Sequence, residues 1–172
     1  MTTRWMIGLA ASGLMGLNVA MADSEPLSRE SLARCASQVQ TLRDESTRLT
    51  RESTALDRRR EGIEERSAQL RLERDNPVQD DLEAGLDFRQ RQIEHKAQTV
   101  AFNADIQTLR DQITALNALK FDYEQRCAKR AYRRADLESL SSEDQSAMRE
   151  GLGDVKVPYI DPASTPPPQS QP

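Results

Sequence analysis

Large rings are scarce in this chain. Aromatic residues make up 4% of its 172 residues: three Phe, three Tyr and one Trp, Trp5. Without them a thick globular core cannot be built, and the apolar side chains are expected to lie in narrow helical seams. Helix breakers are scarce as well. From Ser28 to Arg134 the only ones are Pro77, Gly62 and Gly85. There is one histidine, His95, and there are two cysteines with no CxxC pair, so no metal-ligand spacing can be read. No Gly-rich phosphate loop and no nucleophile motif appears. A two-helix rod also offers no deep concave pocket. The chain is therefore read as non-enzymatic, with no catalytic, cofactor-binding or metal-binding residues and no cofactor. A formal net charge of −4 gives no electrostatic footprint for nucleic acid.

Long apolar runs are absent too, with one exception. Arg4 precedes an apolar stretch from Met6 to Val19, followed by Ala20-Met21-Ala22 and Asp23. The stretch is short for a membrane span of about 20 residues, and small residues at Ala20 and Ala22 suit a signal peptidase. Residues 1–22 are expected to be a secretory signal peptide cleaved before Asp23, with no membrane span remaining afterwards. Cleaving 22 residues from 172 leaves 150, and the loss of Arg4 takes the net charge from −4 to −5. The expected destination is secreted, in a bacterial periplasm.

What is abundant is helix-forming: Glu, Gln, Arg, Ala and Leu. Ser28 reads as an N-cap, with Leu27 and Leu32 as a hydrophobic staple. Cys35, Leu42, Leu49, Leu56, Ile63 and Leu70 then recur every seventh residue. Val39, Ser46, Ser53, Arg60 and Ser67 lie four residues on from the first five, making a heptad seam with one aliphatic and one mostly small column. Downstream, Phe102, Ile106, Leu109, Ile113, Leu116, Tyr123 and Cys127 form a second seam, interrupted by Lys120. Leu86, Ile93 and Val100 fall on a shifted phase. Between the seams, Asn76-Pro77 with Gln79 reads as the start of a new helix, and Asp80 with Glu83 as a second candidate. The fold expected is all-α: a long antiparallel coiled-coil helical hairpin over residues 23–134. It has a first helix at about 28–75, a turn at about 76–85 and a second helix at about 86–134, and forms a rod of about 60 Å. A short helix with an extended segment follows at 135–161, and then a disordered Pro-rich tail at 162–172.

Two cysteines in a secreted chain are expected to pair. If Cys35 faces Cys127, antiparallel partners have numbers adding to 162. Val39 then meets Tyr123, Ser46 meets Leu116, Leu49 meets Ile113, Ser53 meets Leu109 and Leu56 meets Ile106. The match weakens toward the tip, where Arg60 meets Phe102 and Ser67 meets His95. A sum of 162 centres the turn on residue 81, in conflict with a helix start at Asn76. Either a loose loop from about residue 76 to 85, ending near Gly85, reconciles them, which is the preferred reading, or the bridge is intermolecular; in either case it is read as structural rather than redox-active.

The stretch "ITALNALKFDYE" carries more apolar residues than one seam needs, so a further element is expected to cover it. A second copy is one possibility, giving a homo-oligomer. The preferred one is the chain's own C-terminal segment, where Ser142 with Gln145 forms a capping box and Gly151 or Gly153 ends a short helix. Val155, Val157, Tyr159 and Ile160 follow, either folded back or exposed as a docking peptide. Arg126, Lys129, Arg130, Arg133 and Arg134 form a basic run at the end of the second helix. It suits the negative end of a helix dipole and also an acidic partner or anionic head groups. Together these features indicate a scaffold or adaptor that binds an unknown protein of the cell envelope. The alternative is a periplasmic holdase chaperone with hairpin arms.

Overall fold

A computed structural model describes residues 25–76 and 82–159. The expected cleavage site (Ala20, Ala22, Asp23), Ile160 and the Pro-rich tail lie outside them. The described chain is all-α, with four helices: α1 (Arg29–Asp75), α2 (Leu82–Arg126), α3 (Arg134–Glu138) and α4 (Ser142–Glu150). The first two form a long hairpin. No helix among the described residues is long and apolar enough to cross a membrane.

Helix α1 starts where its first residues dictate. Ser28 is extended, at φ −69° and ψ 162°, and its Oγ accepts from the Ser31 amide at 3.3 Å. Leu32 is fully buried, and Leu27 on the other side of the cap packs on the core. The helix then runs for 47 residues, about 70 Å at 1.5 Å per residue, rather longer than the 60 Å expected.

All six residues of the seven-residue column are buried: Cys35, Leu42, Leu49, Leu56, Ile63 and Leu70. Opposite them on α2 lie Phe102, Ile106, Leu109, Leu116 and Tyr123, also buried. The second column of α1 is buried near the base, at Val39 and Ser46. It is only half-buried beyond, at Ser53, Arg60 and Ser67. The small side chains of Ser46, Ser53 and Ser67 let the helices approach closely there.

The register is set at the base. Cys35 and Cys127 are joined, with S–S 2.00 Å and Cα–Cα 5.8 Å. Side-chain bonds across the hairpin keep the same register along its length. Gln38 donates to Asp122 at 2.9 Å, Arg48 to Gln112 at 3.3 Å and Arg91 to Glu73 at 2.6 Å. Ser67 Oγ meets His95 Nε2 at 2.8 Å. In each pair the residue numbers add to within two of 162. The match therefore persists toward the tip, where the side chains alone had seemed mismatched. The polar Ser67–His95 pair bridges the two helices within the seam.

Four sequence expectations need correction. Asn76 does not start the second helix; it closes the first, its amide and its Nδ2 both donating to the Leu72 carbonyl at 3.1 Å. Helix α2 begins at Leu82, so Gly85 sits in its first turn rather than ending a loop. The same helix stops at Arg126, not 134. The amides of Cys127 and Ala128 both reach back to the Tyr123 carbonyl, and Lys129 takes φ 60°. The chain then runs extended past α1, where the Leu27 amide donates to the Ala131 carbonyl at 2.8 Å and Leu27 pairs with Tyr132 in parallel. The residues "CAKRAYRR" are good helix formers, and this tertiary contact overrides them. Finally, α4 is capped one residue earlier than expected. Ser141 accepts from the Asp144 amide at 3.1 Å, and Asp144 takes the place in the box assigned to Gln145.

Candidate interaction surface at the hairpin base

The base of the hairpin gathers the disulfide, the extended segment after α2 and the returning C-terminal strap. The strap lies on α1. Gln40 donates to Asp144 Oδ1 at 3.1 Å. Arg43 is the main clasp. Its Nη2 reaches Glu150 Oε2 at 3.0 Å and the Gly151 carbonyl at 3.1 Å, while its Nε reaches Asp154 Oδ1 at 3.1 Å. Beyond it, Ser46 Oγ donates to the Lys156 carbonyl at 2.7 Å. Gly151 ends α4 at φ 58° and ψ −138°, a conformation that disfavours any side chain, and so turns the chain along α1.

The apolar face of the strap completes the core. Ala147 and Val155 are buried, and Met148, Leu152 and Val157 pack against the seam. Burial pushes the Tyr123 hydroxyl above its ordinary value, against a smaller opposing effect of Arg43. The helix of the strap packs on α1 rather than over the surplus apolar residues at the end of α2; of these, Ile113 and Leu119 pack on the core, whereas Phe121 remains 63% exposed.

The basic run is brought to one end of the molecule but not onto one helix. Arg126 closes α2 and pairs with Asp122 at 2.7 Å. Lys129 sits at the left-handed turn, exposed. Arg130 is turned inward and donates to the Glu25 carbonyl at 2.9 Å. Arg133 precedes α3 without a side-chain cap bond, and Arg134 opens α3 within 3.9 Å of Glu138. The helix-dipole explanation therefore covers Arg126 alone. Tyr132 lies among these cations, 40% exposed, and Tyr159 stands out at 81%. Lys129, Tyr132, Arg133 and Arg134 together form an exposed rim at the base.

The Arg59 guanidinium lies over Phe102, 5.9 Å from the ring centroid, while the guanidinium of Arg60 turns to Asp57 and Glu64. Farther up the hairpin, His95 is held below its ordinary pKa by burial and, secondarily, by the Arg66 charge. Among the described residues no group of three or more His, Cys, Asp or Glu side chains is placed to hold a metal ion.

Sequence reasoning missed the clasp. Ser46 was assigned to Leu116 as a small seam residue, but its hydroxyl serves the strap. Nothing in the local pattern sets Arg43 apart from the other arginines of α1. The signal was there only in the acids of the last segment, Glu150 and Asp154, whose partner cannot be chosen from spacing. No protein-family model, curated protein or solved structure matches the chain.

Proposed function

We propose that this protein is a non-enzymatic coiled-coil adaptor of the bacterial envelope. On this reading residues 1–22 are its signal peptide, cleaved before Asp23, the periplasm its compartment and residues 162–172 a disordered tail. It docks an acidic protein surface at its base, through Lys129, Tyr132, Arg133 and Arg134. The observation that carries the reading is the construction of the base. A disulfide closes the open end of the hairpin, and the strap is clamped to α1 by Arg43 and Ser46. The rim of cations is thereby held on a rigid platform at one end of a rod about 70 Å long. Rigid presentation lowers the ordering cost of docking.

The test is in-cell photo-crosslinking from position 132, compared with the R133E/R134E variant. A defined adduct that appears in the wild type and is lost in the variant supports the reading. An adduct pattern indifferent to the charge reversal overturns it. A second reading, a periplasmic holdase, draws on the exposed apolar residues of α2, Leu86, Ile93 and Val100. Suppression of aggregation of an unfolded outer-membrane protein, lost in I93E, would favour it over the adaptor.

A further inference from the structure

Leu86, Ile93 and Val100 fell out of phase with the hairpin seam, and the structure shows where they went. They are 58%, 64% and 62% exposed. Two residues apart on a helix point about 200° apart, so Ile93 faces away from buried His95. The three recur every seventh residue, on the side of α2 turned from α1. Exposed Ala97 and Ala104 lie four residues on from Ile93 and Val100, and Gln90 four on from Leu86. This is a second heptad seam on the back of the same helix. The C-terminal strap packs on α1, and no described element covers this face.

The flanking charges say what does. With Leu86, Ile93 and Val100 as the d column, Asp87 and Glu94 flank one side of the seam. Arg89 and Lys96 flank the other. In a parallel pair each g residue meets the e residue five places on in its partner. Arg89 then meets Glu94 of a second copy, and Lys96 meets uncharged Ala101. In an antiparallel pair the acids face acids and the bases face bases. Arg89 and Lys96 make no ion pair within the described chain, and Glu94 accepts only from Gln90, at 2.9 Å, so all three are open to a partner. The seam has a natural end: Asp111, in the same column as Ala97 and Ala104, would face itself in a parallel pair.

We infer that two copies of this chain associate in parallel through the back of α2, along the stretch from Leu86 to Ala104. The contact spans about 27 Å. Leu, Ile and Val meet their own counterparts, and the small alanines let the backbones come close. Two hairpins joined this way point their tips in the same direction and present their two basic rims at the same end. The proposal is independent of the adaptor reading, since it concerns the purified chain alone.

Sedimentation equilibrium on the purified, oxidised protein tests it. The expected mass rises with concentration toward twice that of one chain. I93E puts a charge where an exposed isoleucine stands, leaves the helical circular dichroism unchanged and weakens association by at least about tenfold. R89E weakens it as well, and R89E/E94R restores it, because the reversed pair is again complementary. A chain that stays monomeric at concentrations up to about 1 mM overturns the proposal. So does strengthening by R89E, which would mean that position 89 sits opposite Lys96 in an antiparallel pair.

Discussion

Opening the disulfide is the perturbation that most directly probes how this rod is held together. Cys35 and Cys127 are 92 residues apart in sequence, and the bridge closes nearly the whole hairpin. In the chain-entropy description, a loop of that length restricts the unfolded state by about 4–5 kcal/mol at 25 °C. The native state has little with which to replace it, since two helices and a strap share one narrow seam. With a urea m-value of about 2 kcal/mol per molar, the oxidised protein should unfold at a urea concentration about 2 M higher than the reduced one. The probe should be circular dichroism at the helix band, because the one tryptophan, Trp5, lies in the expected signal peptide. The C35A/C127A variant is the control that removes the bridge without leaving buried thiols, at 3% and 6% exposure, to reoxidise. It should behave like the reduced protein to within about 1–2 kcal/mol, the added cost of two small cavities. Coincident urea midpoints for oxidised and reduced protein would refute the reasoning, because the hairpin would then be held by its seam alone.

Other outcomes follow from the same geometry. Phe102→Ala should cost about 3–5 kcal/mol in urea unfolding, because a side chain 1% exposed is removed and the Arg59 cation loses its ring. Leu72→Ala, at 66% exposure, should stay within about 0.5 kcal/mol and serves as the contrast. The depressed pKa of His95 sets a direction with pH. The unfolded histidine binds its proton at an ordinary 6.5 and the folded one only below that, so stability is fully present above 6.5 and is lost as the pH falls through the folded value. Urea midpoints measured from pH 7.5 down to 5 should fall in the wild type and stay flat over that window in H95Q. Glu45, whose carboxyl is held low by its bond from Arg48, acts in a more acidic window and leaves this one undisturbed. Arg43→Ala removes both ion pairs and the Gly151 contact, so hydrogen exchange should accelerate across α4 and Val155 while α2 near Leu109 is unchanged.

Much of the architecture was already decided by residue order. The seven-residue column from Cys35 to Leu70 dictates one buried stripe, because only that face can leave water without stranding charge. Ser28 with Leu27 and Leu32 dictates where the first helix begins. The two cysteines, with the matched columns, dictate the register, and the Ser67–His95 pair follows from it although neither residue is apolar. Local patterns carry these features because each depends on neighbours one turn away or on a single numerical offset.

Tertiary structure decided the rest. The residues after Arg126 favour a helix, yet they run extended because the Leu27 amide and the Ala131 carbonyl satisfy each other across the base. Arg43 and Ser46 hold the strap only because Gly151 turns the chain back along α1, bringing Glu150, Asp154 and the Lys156 carbonyl within reach. Nothing in their spacing could name those partners, which lie more than 100 residues away. The shifted phase of Leu86, Ile93 and Val100 was visible as a pattern, but its meaning needed the position of α1. Periodicity shows that a helix has an apolar face. Only the packed neighbour shows which face is already covered and which stands open.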